Sequence, residues 1–197
     1  YVLGARIIDE LHARGFKVFL DLKLHDIPHQ VEGAAAALGA LGIEMMTVHA
    51  SGGLEMMAAA VSGASRGSLE AGKPAPTVLA VTVLTSMDAA TLASVGVPHD
   101  PQAQVEHLTR LAQTACAGGV VCSPLEAPIV RSIMGAGKEI VTPGVRPDGA
   151  DSGDQSRIAT PARALELGAT RIVVGRPITQ ERDPATAARA ILRELEL

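Results

Sequence analysis

Asp21, Lys23 and Asp26 stand where an apolar strand should be ending, in the run Phe19-Leu-Asp-Leu-Lys-Leu-His-Asp-Ile-Pro28. Val18, Phe19, Leu20, Leu22 and Leu24 read as a buried strand, and Pro28 opens the next segment. Strand side chains alternate, which puts Asp21 and Lys23 on one face and the three leucines on the other. An acid and an ammonium on a buried face are costly unless they pair or do chemistry. The chemistry open to them is electrostatic stabilisation and proton transfer. Asp26 lies past the strand end, where a loop can aim it elsewhere. Taken alone, D-x-K fits a structural ion pair about as well.

A second group suits an anion. Val173-Val-Gly175-Arg176-Pro177 reads as a strand, a tight turn and a proline that can begin a helix. Gly175 lets a backbone N–H approach a phosphate, and Arg176 can fork two donors onto it. The long loop before it, Pro143 to Pro161, is rich in Gly, Pro, Asp and Ser and carries Arg146 and Gln155. Such a composition reads as a surface loop, or as a lid over a phosphorylated ligand. Thr85-Ser86-Met-Asp88 by itself reads as a helix N-cap.

Other patterns carry less. Gly67 to Lys73 resembles a phosphate-binding loop, but Pro74 replaces the expected Ser or Thr and the stretch ends a helix. His25 and His29 have the spacing of a helical metal pair, yet Pro28 between them breaks that helix. His49, at a strand end, reads as a packed, hydrogen-bonded histidine.

These residues need a frame to position them. Candidate strands are Val18–Lys23, Met45–His49, Thr77–Val83, Gly119–Cys122, Glu139–Thr142 and Arg171–Gly175. Helical stretches lie near 28–41, 52–71, 101–117, 124–134, 160–168 and 184–196, and 1–14 reads as one more helix. Short apolar strands alternating with helices predict an α/β fold with a parallel sheet. Periodicity does not separate a barrel from an open, doubly wound sheet. The 197 residues are 47% hydrophobic, enough for one sizeable core, so 1–197 is read as a single domain. A net charge of −4 gives no basic field for nucleic acid or an anionic membrane. No run is long and apolar enough for a bilayer, no charged-then-apolar leader is read, and Cys116 and Cys122 suggest reduced, buried thiols. A cytoplasmic, metabolite-handling protein is expected.

The chain resembles the orotidine 5′-monophosphate decarboxylase family. The resemblance rests on Asp21-x-Lys23-x-x-Asp26-Ile27-Pro28, Val48-His-Ala-Ser-Gly-Gly53, Val83-Leu-Thr-Ser86, Val121-Cys-Ser123, Thr142-Pro-Gly-Val-Arg146, Asp154-Gln155 and Val174-Gly-Arg176, in the family's order. It implies a (β/α)8 TIM barrel, of which this sequence offers six βα units. The two expected before Val18, with a ribose-binding Asp and a second Lys, have no counterpart. It implies decarboxylation of orotidine 5′-monophosphate to uridine 5′-monophosphate in pyrimidine biosynthesis, with no cofactor and no metal. Lys23 would protonate the C6 carbanion, Asp21 would hold the ammonium, and Asp26 would serve the neighbouring site of a homodimer. Gln155, Gly175 and Arg176 would grip the 5′-phosphate, with Arg146 in the same loop. Thr85 would meet the pyrimidine edge, and Ile27 and Pro143 would also contact the nucleotide. The family's Ile-Pro-Asn-Thr reads Ile27-Pro28-His29-Gln30 here, so Gln30 would replace a threonine hydroxyl with an amide. Two rival expectations are a Mg²⁺-dependent sugar-phosphate decarboxylase or synthase of the same superfamily, and a non-catalytic phosphate-binding barrel fragment.

Overall fold

The computed structural model describes residues 3–146 and 159–195. Strands alternate with helices: α1 (Arg6–Ala13), β1 (Phe19–Leu24), α2 (Pro28–Gly39), β2 (Met45–His49), α3 (Gly53–Glu70), β3 (Thr77–Val81), α4 (Ala89–Ser94) and α5 (Pro101–Thr114). Then come β4 (Gly119–Val121), α6 (Ala127–Met134), β5 (Glu139–Thr142), α7 (Pro161–Glu166), β6 (Arg171–Ile172), α8 (Arg176–Thr179) and α9 (Pro184–Leu195). The strand order is that of the chain, β1-β2-β3-β4-β5-β6, as successive βα units produce. Among the described residues no helix is long and apolar enough to cross a membrane. By internal packing the chain falls into two compact units, Tyr1–Val81 with Arg110–Gly119, and Thr82–Thr109 with Val120–Leu197.

In the first unit β2 pairs in parallel with both β1 and β3, and its register with β3 is regular from Met45↔Thr77 to His49↔Val81. Met46, Val48 and Leu79 are fully buried, as a continuous apolar strand run requires. β1 departs from expectation: Leu20, Leu22 and Leu24 are only half-buried. It stands at the end of the strand order and has one strand neighbour among the described residues, so less of its surface is covered.

Behind these strands α2 and α3 meet at backbone distance. A Cβ on Gly67 would lie 1.9 Å from the Ala36 carbonyl oxygen, one on Gly63 2.2 Å from that of Glu32, and one on Gly39 2.4 Å from that of Ala64. Gly67, part of the apparent phosphate-binding loop, is therefore a packing residue inside α3. Gly72, at φ +62, turns the chain out of that helix. Cys116 differs from expectation in being exposed. It lies just past α5 at φ +59, a place usually taken by glycine. There Cys116 N–H donates to Gln113 O and Ala117 N–H to Ala112 O, both at 3.0 Å.

In the second unit Val120, Ile140 and Val130 are fully buried. β5 and β6 pair in parallel through Val141↔Arg171 and Thr142↔Ile172. Cys122 N–H donates to Val141 O at 3.2 Å and Thr82 N–H to Val121 O at 3.1 Å, extending pairing past the strand ends. Side chains cap the short helices: Asp88 accepts from Thr91 N–H, Thr160 from Arg163 N–H, and Ser123 and Glu126 form a reciprocal capping box before α6. The cap in Thr85-Ser86-Met-Asp88 is thus Asp88.

Two stability experiments probe the first unit. Gly67→Ala should lower stability by about 1–3 kcal/mol, because backbone on both sides must move. Gly33→Ala, exposed on α2 with nothing among the described residues within 4 Å of the new methyl, should raise it by up to about 1 kcal/mol. Urea unfolding of the two variants compares them, and equal midpoints would contradict the close helix contact. The second concerns His49, half-buried with its ring centroid 5.4 Å from that of His25. Burial first, then His25 and the Lys23 ammonium, hold its pKa below 6.5 against the opposing pull of Asp21. The unfolded chain then takes up a proton before the folded one, so stability should fall as pH drops through 6.5 toward the lower folded value. His49→Gln should flatten this dependence in thermal melts run from about pH 7.5 to about pH 5.5. An unchanged slope would assign it elsewhere.

Candidate active site

β1 does not end as a regular strand. Leu20 pairs with Met46 and Leu24 with Val48, so four steps along β1 match two along β2. Such an irregularity bends the strand and re-aims its side chains. Within it Lys23 adopts φ +53, a left-handed conformation that costs a non-glycine residue about 1–3 kcal/mol. The simple alternation expected of Asp21, Leu22, Lys23 and Leu24 therefore stops at the bulge.

The expected pair forms nonetheless. Lys23 Nζ lies 2.6 Å from Asp21 Oδ2. Thr47, fully buried in β2, donates its hydroxyl to Asp21 Oδ1 at 2.8 Å and accepts from Lys23 N–H at 2.9 Å. The Lys23 and Asp21 side chains remain 35% and 47% exposed, and a pair this open contributes little to stability. Stability alone therefore gives no reason to strain Lys23. The arrangement presents a charged ammonium, held from one side by a carboxylate, at the C-terminal end of a strand. Thr47 went unnoticed in the sequence because a threonine suits any strand. The signal was there: a hydroxyl among Met45, Met46 and Val48 must find partners once buried.

Asp26 comes next in the exposed loop, where its Oδ1 accepts from Ile27 N–H at 2.7 Å. The Ile27 side chain is 63% exposed, which is high for an isoleucine. Pro28 occupies the first turn of α2, so His25 and His29 do not share a helix face. His25 packs instead against His49. Among the described residues no three His, Cys, Asp or Glu side chains are grouped to hold a metal ion.

The other expected residues lie in the second unit, each past the end of a strand. Thr85 is buried beyond β3, beside exposed Ser86. Half-buried Pro143 and buried Arg146 come after β5. Arg146 N–H donates to Ala159 O at 3.0 Å, and its guanidinium to Val145 O at 2.9 Å. A bridge between Val145 and Ala159 pins that part of the loop. Gln155 lies outside the described residues. Gly175 and Arg176 are exposed beyond β6, which ends at Ile172 rather than Gly175. Gly175 O accepts from Ile178 and Thr179 N–H, so the chain turns at once into α8. Among the described residues, a Cβ on Gly175 would meet nothing within 4 Å.

The model of the orotidine 5′-phosphate decarboxylase / HUMPS family matches residues 1–191. The chain is 57% identical over 177 residues to orotidine 5′-phosphate decarboxylase of Anaeromyxobacter dehalogenans, covering 90% of this chain and 74% of that one. With the enzyme of that name from Halorhodospira halophila it shares 51% over 192 residues, 98% of this chain and 79% of the relative. The crystal structure of orotidine 5′-phosphate decarboxylase from Lactobacillus acidophilus superposes with a TM-score of 0.85 at 42% identity, covering 98% of this chain and 82% of that one. An ammonium–carboxylate pair at the end of β1, on strands in simple chain order, thus sits in a chain that belongs, over 191 matched residues, to the orotidine 5′-phosphate decarboxylase / HUMPS family and has its α/β barrel fold.

Proposed function

We propose that the protein is a carboxy-lyase that converts orotidine 5′-monophosphate to uridine 5′-monophosphate, in the cytoplasm, as a homodimer and without a cofactor. Its relatives carry the name of that activity. The single observation that carries the mechanism is the Lys23 ammonium, 2.6 Å from Asp21 Oδ2 on a strained turn of β1. The C6–carboxylate bond breaks, CO₂ leaves, and the electron pair stays on C6 in the plane of the ring, where no π-system spreads it. The ammonium of Lys23 stabilises that charge and gives C6 its proton, and the resulting amine is reprotonated from water. Asp21, 2.6 Å away, holds the ammonium in place.

The barrier to be removed is on the order of 20 kcal/mol, more than one lysine supplies. Binding energy from the remote phosphate must therefore be realised in the transition state. Gly175 and Arg176, with Gln155 of the preceding loop, take the phosphate, and Arg146 lies in that same loop. Thr85, Ile27 and Pro143 meet the nucleoside. Asp26 serves the neighbouring subunit's site, which its exposure and that of Ile27 support.

Lys23→Ala and Asp26→Ala should each lose at least about 100-fold in turnover while still binding product nucleotide. Mixed and re-equilibrated, they should regain about a quarter of wild-type sites, because half the dimers then pair one intact set of residues. No recovery would remove Asp26 from the shared site, and a Lys23→Ala variant above about a hundredth of wild type would remove Lys23 as proton donor. The same assays with a chelator present should show no loss, whereas a metal-dependent sugar-phosphate enzyme would be silenced.

Arg176→Ala should both raise KM and lower kcat on the phosphorylated substrate, and matter far less for the nucleoside lacking phosphate. Equal losses on the two substrates would mean that Arg176 acts through folding.

A further inference from the structure

We infer that Thr47 is a positioning residue: its hydroxyl sets where the Lys23 ammonium stands, by holding the backbone of Lys23 and the carboxylate of Asp21 at once. This rests on the reading of Lys23 as proton donor. A hydroxyl offers one proton and two lone pairs. In Thr47 the proton goes to Asp21 Oδ1 at 2.8 Å, and a lone pair receives Lys23 N–H at 2.9 Å. Asp21 Oδ2 then takes Lys23 Nζ at 2.6 Å. The three contacts close a ring, so both ends of Lys23 are tied to one oxygen atom of β2.

Three features make this more than a satisfied core threonine. The bulge between Leu20 and Leu24 interrupts the regular ladder at Lys23, and the Thr47 hydroxyl receives its N–H. Lys23 sits at φ +53, a conformation that persists only where its surroundings over-determine it. Thr47 itself is fully buried on a strand whose register with β3 is unbroken over five residue pairs, and its β-branch limits χ1. Oγ1 is therefore carried by a stiff element, while the residue it holds lies on an irregular one. Valine would keep the approximate shape and remove the hydroxyl. Serine would keep the hydroxyl and remove the methyl.

The test is turnover of orotidine 5′-monophosphate by the purified wild-type protein, Thr47→Val and Thr47→Ser, with hydrogen exchange at the Lys23 amide monitored by NMR. Thr47→Val should lower kcat by about 100-fold, the scale of a misplaced catalytic group, with KM held within about threefold. Thr47→Ser should recover most of that loss. In the absence of substrate, the Lys23 amide should exchange roughly tenfold faster in Thr47→Val than in Thr47→Ser, as expected when one hydrogen bond is lost. Equal kcat losses in the two variants, a loss confined to KM, or equal Lys23 exchange would each overturn the inference. If circular dichroism shows Thr47→Val unfolded, the smaller Thr47→Ala takes its place in the same comparison with serine. Should the wild-type protein not decarboxylate the nucleotide at all, the functional reading falls, and Lys23 exchange alone then upholds or overturns the hold of Thr47 on Lys23.

Discussion

A residue in the left-handed region of backbone space stays there only if something holds it, and at Lys23 the holding group is one buried oxygen atom on the adjacent strand. The Thr47 hydroxyl meets both the amide of Lys23 and the carboxylate that receives its ammonium. That geometry needs β2 in a fixed register, which its regular pairing with β3 supplies. It also needs β1 to depart from regularity at this point, which the bulge after Leu20 supplies. The stiff strand thus sets the position of the irregular one. Solvent exposure makes the ion pair itself a poor source of stability, so the conformation depends on the backbone contact and on Asp21 being fixed.

The chain just beyond Lys23 is constrained from the other side. Only Leu24 to Ile27 separate it from Pro28, where α2 begins. That helix is pressed against α3 closely enough that no side chain fits at Gly39, Gly63 or Gly67. A displacement of α2 would therefore pull directly on the loop carrying Asp26 and Ile27. The glycines, far from any chemistry in the sequence, belong to the same mechanical chain as the charged residues. Within this unit β2 holds one end of the segment and α3 the other.

The second unit solves a different problem. Its strands are short, four residues in β5 and two in β6, so the loops after them begin early. Caps from Asp88, Thr160, Ser123 and Glu126 satisfy helix starts that would otherwise leave backbone donors unpaired. Arg146 is buried and bonded to neighbouring carbonyls, whereas Arg176 is exposed at the start of α8. Of the two, Arg176 has the accessibility that a phosphate contact needs. In a chain of net charge −4, attraction of any anion has to be local.

The alternation of strands and helices, the start of α2 at Pro28 and the pairing of Asp21 with Lys23 were all legible in the amino-acid order. Apolar periodicity, a proline's missing N–H and a two-residue spacing are local properties of the chain. The family signature was legible for the same reason: each of its motifs is a short run of the chain, and they follow one another in the family's order. The bulge in β1, the left-handed Lys23, the half-burial of Leu22 and Leu24, the exposure of Cys116 and the burial of Arg146 arise only once the chain has packed. Each depends on its surroundings, and strand pairing or neighbouring cover leaves no periodic mark on the segment itself. Thr47 shows the division most plainly. Its type says only that a hydroxyl sits in a buried strand, and the partners of that hydroxyl, 24 and 26 residues away, come to it only when β1 and β2 pair.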